Sequence, residues 1–95
     1  MRLSDFEVEE IKKVFFEIFN NGEIYLFGSR VDDTKKGGDI DLYIKTTKEK
    51  TNIQNKIRFL SKLQEKIGEQ KIDLILAKDQ NRLIEQEAIK NGVKL

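Results

Sequence analysis

Two residue types with reactive side chains, cysteine and histidine, are absent from this 95-residue chain. The absence of cysteine excludes disulfide bonds, thiolate metal sites and a cysteine nucleophile, and it fits a reducing compartment. The absence of histidine excludes serine-histidine-aspartate hydrolysis, histidine acid-base catalysis and imidazole metal ligands. Carboxylates are therefore the groups that remain for holding a metal ion or moving a proton.

Long apolar runs and a charge imbalance are also missing. No run approaches the roughly 18 to 20 apolar residues of a membrane span, and the start "MRLSDFEVEEIKK" lacks the hydrophobic segment of a signal peptide. A cytoplasmic protein with no membrane contact is the simplest expectation. Although 37% of the residues are charged, the net charge is only +1, so the overall charge does not indicate a nucleic-acid binder.

The length and the local patterns predict one domain over residues 1–95 with a single modest core. A capping box of Ser4 and Glu7 begins a first helix, which ends before Asn20. A second helix is expected over residues 47–67, and Asp79 is expected to cap a last helix. Strands are predicted at residues 23–27, 39–44, 71–77 and 93–95. This order favours an α/β (α+β) fold, a small mixed β-sheet covered by helices.

Helical spacing also predicts which side chains are buried. In the second helix these are Ile53, Ile57, Leu60, Leu63 and Ile67, and in the last helix Leu83, Ile84, Ala88 and Ile89. In the first helix the predicted stripe runs from Phe6 to Phe19, and Phe16 falls outside it. An apolar surface on the first or last helix is therefore expected to contact a partner or a second copy of the chain, as in a homo-oligomer.

The segment "DIDLYI" places two carboxylates inside a strand. Because side chains alternate along a strand, Asp39 and Asp41 share one face, while Ile40 and Leu42 point into the core. Neighbouring carboxylates repel unless they protonate, pair with cations or bind a metal, and an all-oxygen site suits Mg²⁺ or Mn²⁺. Asp73 in "KIDLIL" joins them if the third strand pairs with the second, which would form a metal site for phosphoryl or nucleotidyl transfer.

A structural interpretation of the same aspartates stays open, with Asp39 closing a glycine turn and Asp41 and Asp73 facing solvent.

Upstream, "GSR" follows the first strand: Gly28 permits close backbone approach, Ser29 offers a hydroxyl, and Arg30 can bind a phosphate or pair with an aspartate. Any strand-to-helix turn can use such residues. The combination of turn and aspartates is more specific than either part.

Together, "LFGSRVDDTKKGGDIDLYI" and "KIDLIL" resemble the minimal nucleotidyltransferases, a small prokaryotic branch of the DNA polymerase β-like nucleotidyltransferase superfamily. The resemblance implies a nucleotidyltransferase-type fold. It also implies that Asp39, Asp41 and Asp73 are catalytic and hold Mg²⁺ or Mn²⁺, with Asp73 as the base toward an acceptor hydroxyl. Gly28, Ser29 and Arg30 would bind the nucleotide, with ATP as substrate. Many members carry serine where this chain has Gly38, directly before the aspartate pair.

The same resemblance implies a partner. Similar small domains are antitoxins that transfer AMP to a tyrosine of a HEPN-domain toxin, so this chain is expected to modify such a partner. An alternative is a catalytically weak or silent antitoxin that neutralises the toxin by binding it. A third hypothesis, nucleic-acid binding through Lys35, Lys36 and the lysine-rich second helix, ranks lowest because those lysines alternate with glutamates as on a solvated helix face.

Overall fold

A computed structural model describes residues 1–95 as three α-helices against one four-stranded mixed sheet. The helices are α1 (Asp5–Ile18), α2 (Ile53–Ile67) and α3 (Leu83–Asn91). The strands are β1 (Glu23–Phe27), β2 (Ile40–Lys45), β3 (Ile72–Leu76) and β4 (Val93–Lys94). The predicted fold class and element order are confirmed. None of the helices has the length and apolar content of a membrane span.

The strand order in the sheet is β3-β2-β1-β4, and it mixes both pairing types. Strand β1 is antiparallel to β2 and to β4, whereas β2 and β3 are parallel. Parallel neighbours cannot be joined by a tight turn, so the chain crosses over through α2 between them. This crossover puts the two aspartate-bearing strands side by side.

Helix α1 begins at the predicted capping box. The Ser4 hydroxyl accepts a hydrogen bond from the Glu7 amide, and the Glu7 carboxylate accepts one from the Ser4 amide. Phe16 is 57% exposed, as its position outside the stripe predicts. Phe6 is equally exposed, contrary to prediction, because the buried face of α1 begins only at Ile11.

Helix α2 is shorter than predicted, and the face that it turns toward the core differs from the predicted one. It begins at Ile53 behind an Asn52 side-chain cap, and a short 3-10 turn over Lys48–Lys50 precedes it. Phe59 packs near Phe19 in the core, with the ring centroids 6.0 Å apart. Because Phe59 faces inward, the predicted core residues Ile53 and Ile57 remain exposed.

Helix α3 begins at Leu83, not at an Asp79 cap. The Asp79 carboxylate accepts a hydrogen bond from the Asn81 amide within the preceding loop, and Arg82 occupies the N-cap position without a capping side chain. The buried residues of α3 are Glu85 and Ala88. The predicted apolar stripe is therefore wrong for its three largest members, Leu83, Ile84 and Ile89, which are exposed.

The two faces of the sheet are covered differently. Ile40, Leu42 and Ile44 of β2 belong to the main core with residues of α1 and α2. On the opposite face, Tyr43 packs with Phe27 and with Ala88 of α3 in a smaller apolar cluster. Strand alternation places Asp41 on this second face, beside the part covered by α3.

Candidate active site

Asp41 and Asp73 form the centre of the candidate site. Strand β2 begins one residue later than predicted, at Ile40, so Asp39 directly precedes it and Asp41 is its second residue. In the parallel pairing of β2 and β3, Asp41 lies opposite Asp73. The predicted pairing of the second and third strands thus brings these two carboxyl groups together on one rung of the sheet.

The proximity of the two carboxyl groups changes the acidity of Asp41. Its pKa rises from 3.8 to about 6, first because the group is partly buried, and then because of the charge and hydrogen bond of Asp73 and the charge of Asp39. Lys71 opposes this shift only in part. A bound cation would offset both the burial of the Asp41 carboxylate and its repulsion by Asp73.

Replacing Asp41 with Asn should stabilise the metal-free protein. A carboxyl group with a raised folded-state pKa contributes stability that is present below its unfolded pKa and is lost as pH rises through the folded value, here about 6. Discounted for partial solvent screening, the expected gain at neutral pH is about 1 to 2 kcal/mol. Urea unfolding in the presence of a chelator should show a gain for Asp41→Asn at about pH 7.5 and little gain at about pH 4.

Asp39→Asn provides the matched control for this measurement, because it neutralises a carboxylate of the same segment that already has a cationic partner. It should lack the gain seen for Asp41→Asn. A loss of stability in Asp41→Asn at both pH values would show instead that the Asp41 carboxylate holds the fold together.

Asp39 is engaged by a lysine that the sequence interpretation missed. Its carboxylate lies 3.3 Å from the Lys71 ammonium group, and the Ile40 amide donates to the Lys71 carbonyl. The side-chain hydrogen bond from the Lys71 ammonium group to Asp39, followed by the charges of Asp39 and Asp73, raises the pKa of Lys71. The signal was present, since Lys71 precedes Asp73 by the same two residues by which Asp39 precedes Asp41.

The turn at Gly28 fits directly against the Asp41 side chain. Gly28 opens a 3-10 turn, Gly28–Val31, at the end of β1 and has a φ of +76°. A methyl group on its Cα would collide with Oδ2 of Asp41. Glycine is therefore required here both by backbone conformation and by space. The structure thus brings together the predicted turn and the predicted carboxylate.

Ser29 is the next residue of this turn, and its hydroxyl forms no hydrogen bond within the chain. It lies against Gly38, where any Cβ would meet the Ser29 Oγ, and Gly38 has a φ of +92°. The glycine in the position where many minimal nucleotidyltransferases carry serine thus makes room for Ser29. A free hydroxyl at the edge of a turn is available to a ligand.

The Arg30 side chain points to the loop between β1 and β2, not to the carboxylates. Its guanidinium donates to the Gly38 carbonyl at 3.1 Å and to the Arg2 carbonyl at 2.8 Å. Arg2, which sequence reasoning missed, donates to the carbonyls of Ser29, Asp32 and Gly37 at 2.7 to 2.9 Å. Neither arginine forms an ion pair with a carboxylate. Two guanidinium charges thus hold the loop and adjoin the Gly28-Ser29 turn.

A cavity of about 380 Å³ opens beside the aspartate pair. Asp41 and Asp73 contribute its acidic part, Phe27, Ile75 and Ile84 are among its apolar lining residues, and Lys56 of α2 adds a cation. Four other depressions are larger, and none of them is lined by Asp41 or Asp73. The charge of the lining, not the volume, marks this cavity as the candidate active site.

A comparison with protein families agrees with this arrangement. The family model described as "Polymerase beta, Nucleotidyltransferase" matches residues 9–95, which include every residue of the candidate site except Arg2. The chain belongs to this family. No curated protein matches it. Family membership supports nucleotidyl transfer as the general activity of this nucleotidyltransferase, and its helices and four-stranded mixed sheet are consistent with the nucleotidyltransferase fold.

The donor set of the nucleotidyltransferase fits a divalent metal, although no three acidic side chains stand close enough together to form a ready metal centre. Asp41 and Asp73 supply adjacent carboxylate oxygens, the donors that Mg²⁺ and Mn²⁺ prefer. Asp39 is held by Lys71, in an ion pair whose lysine side chain is 73% exposed. An exposed ion pair of this kind contributes little to stability.

Proposed function

We propose that this nucleotidyltransferase transfers a nucleoside monophosphate, AMP from ATP with release of pyrophosphate, to the hydroxyl of a tyrosine on a partner HEPN-domain toxin, and so acts as an antitoxin. The observation that carries the proposal is the placement of Asp41 and Asp73 on one rung of the sheet against the Gly28-Ser29 turn. Carboxylates and a glycine-serine turn in contact are what a metal-assisted nucleotidyl transfer requires from the chain.

Each residue of the candidate site has a separate role in the proposed transfer. Asp41 and Asp73, joined by Asp39 when it leaves Lys71, would hold Mg²⁺ or Mn²⁺, which when bound neutralises the developing charge on the phosphates. Ser29 would donate its free hydroxyl to a phosphate oxygen, and Arg2 and Arg30 would keep the surrounding loop in place. Asp73 is more exposed than Asp41, so an incoming hydroxyl can reach it and give up its proton there.

A protein acceptor fits the surroundings of the aspartates. Ile84 lines the same cavity as Asp41 and Asp73, and the neighbouring Leu83 is 82% exposed. Exposed aliphatic side chains beside an open polar site are typical of a surface that contacts another protein. A tyrosine presented by a bound partner could approach Asp73 along this apolar rim.

Ser29→Ala should weaken Mg-ATP binding by about five- to tenfold, the effect of losing one hydrogen bond of about 1 kcal/mol to a ligand phosphate. The free energy of unfolding should not change, because the Ser29 hydroxyl has no partner within the chain. Isothermal titration calorimetry and urea unfolding measure the two effects. Ser61→Ala, the same change at an exposed position of α2, is the matched control.

The second candidate function is a silent antitoxin that binds the toxin without modifying it. The ion pair between Lys71 and Asp39 favours this alternative, since it occupies a predicted metal ligand. The two functions separate when the partner is incubated with Mg-ATP and the wild-type protein. An added adenylyl mass on the partner supports the enzyme, whereas complex formation with no added mass supports the silent antitoxin.

A further inference from the structure

The sheet face that carries the aspartates has a second depression at its other end. Asp41, Tyr43 and Lys45 alternate onto the same face of β2, so about 13 Å of strand separates Asp41 from Lys45. Helix α3 packs over the middle of this face, where Ala88 contacts the cluster around Tyr43. The Glu85 carboxylate accepts a hydrogen bond from the Tyr43 hydroxyl at 2.8 Å. Helix α3 therefore separates the acidic site from the surface around Lys45.

Beyond α3 is a cleft of about 700 Å³, which we call the lysine cleft. It lies at the carboxyl ends of the parallel strands β2 and β3, the edge at which α/β sheets generally bind ligands. Its polar lining includes Lys45, Thr46, Lys48, Thr51 and Lys78. No residue of the lysine cleft lines the cavity at Asp41 and Asp73.

The charge of the lysine cleft is unbalanced. Lys45, Lys48 and Lys78 each bring an ammonium group, and none of the three forms an ion pair. Glu23, which faces Lys45 across the strands, is paired with Lys94 instead. Three positive charges in one cleft contrast with a net charge of +1 for the whole chain.

The two acidic residues in the cleft do not cancel these charges. Glu85 is 1% exposed, and its carboxylate already accepts hydrogen bonds from the Lys78 and Asp79 amides and from Arg82. Asp79 accepts from the Asn81 amide in its own loop. The cleft therefore has three unpaired ammonium groups and only one exposed carboxylate, that of Asp79.

We infer that the lysine cleft binds a small molecule that bears a phosphate group. Lysine binds phosphate as a point charge, and a volume of about 700 Å³ lies within the ordinary range for small-ligand sites. The inference uses no residue of the proposed catalytic machinery, so it stands or falls separately from the proposed function. An extended polyanion such as single-stranded nucleic acid is the competing occupant.

The test is a titration of the full chain, without divalent metal, with inorganic phosphate and with glycerol 3-phosphate, followed in amide NMR spectra. We expect the saturable shifts to centre on residues 45–51 and 76–80 and to leave Gly28 and Ser29 unmoved. Glycerol should give no shift. Tighter binding of glycerol 3-phosphate than of inorganic phosphate would identify a phosphorylated organic ligand, and equal binding would identify a site for phosphate itself.

Two triple variants with the same change of net charge make the test specific. Lys45→Gln, Lys48→Gln and Lys78→Gln together should weaken binding by about tenfold or more, because three nearby charges are removed. Lys12→Gln, Lys66→Gln and Lys90→Gln together remove three exposed lysines that are also outside ion pairs, and binding should change by less than about twofold. Asp41→Asn should bind phosphate as the wild type does, whatever its effect on nucleotidyl transfer.

Three results would overturn the inference. Equal losses in the two triple variants would show non-specific attraction to lysines. Shifts centred on Gly28 and Ser29 would place the phosphate in the catalytic site. Tight binding of a short single-stranded oligonucleotide, with shifts that spread well beyond the lysine cleft, would replace the small ligand by a nucleic acid.

Discussion

Asp73→Asn should bind Mg-ATP nearly as well as the wild-type nucleotidyltransferase and yet transfer AMP at least about a hundredfold more slowly, the usual scale for losing acid-base assistance. Binding should survive because Asp39 and Asp41 still offer two carboxylates. Transfer should fail because no other exposed carboxylate lies on the rung beside Asp41. Calorimetry with Mg-ATP measures the first effect, and intact-mass spectrometry of the HEPN-domain partner measures the second.

Asp5→Asn is the control for this experiment, since it removes an exposed carboxylate from the first turn of α1, away from the aspartate pair. It should leave both binding and transfer unchanged. Equal adenylylation by Asp73→Asn and the wild type would remove Asp73 from the mechanism. No adenylylation by the wild type with any nucleoside triphosphate would favour the silent antitoxin.

Glu85→Ala should lower the free energy of unfolding by about 2 to 4 kcal/mol, the scale for leaving several partly buried hydrogen-bond donors without an acceptor. Glu85 is almost completely buried, and its carboxylate accepts from the Tyr43 hydroxyl, two backbone amides and the Arg82 guanidinium. The substitution leaves the hydroxyl and the amides without a partner beneath α3, which carries most of the cost. Urea unfolding at neutral pH measures the change.

Glu87→Ala is the matched control, because Glu87 is exposed on the same helix and its carboxylate accepts a hydrogen bond only from the Asn91 side chain. Its cost should stay within about 0.5 kcal/mol. A loss below about 1 kcal/mol in Glu85→Ala would show that α3 is held to the sheet by Ala88 and its apolar neighbours, not by this polar network.

Glu85 and Asp41 should affect the pH dependence of the free energy of unfolding in opposite directions. Burial alone raises the pKa of Glu85, but its amide donors, Tyr43 and Arg82 together bring it below the ordinary value of 4.5. The stability from Glu85 is therefore present above pH 4.5 and is lost as pH falls through the lowered pKa. Asp41 instead takes stability away as pH rises toward about 6.

The elements of the fold were largely predictable from local patterns. A capping box, a five-residue apolar strand and a glycine after each helical stripe depend on residues close together in sequence, and β1 was predicted with its observed bounds. Burial was less predictable. The predicted stripe of α2 included Ile57 and left out Phe59, whereas in the structure Phe59 is buried near Phe19 of the core and Ile57 is exposed.

Glu85 shows why local patterns fail for α3. A glutamate in a helix is ordinarily exposed, and no local feature marks one whose partners lie 3 to 42 residues away. Its burial depends on Tyr43, a residue of β2 that points to the same face as Asp41. Arg30 is similar, since its carbonyl partners come from the loop before β2 and from the residues before α1.

The candidate site also has features that were predictable from the sequence and features that only the folded structure shows. The sequence alone indicated that Asp41 faces away from the core side chains of its own strand and that a glycine-serine turn precedes it, because alternation along a strand is a local property. The parallel register that sets Asp41 opposite Asp73, the Lys71 ammonium beside Asp39 and the fit of Gly28 against Asp41 arose only on folding. Each joins residues separated by at least 13 positions, and such distances are set by the packing of strands and helices around the core.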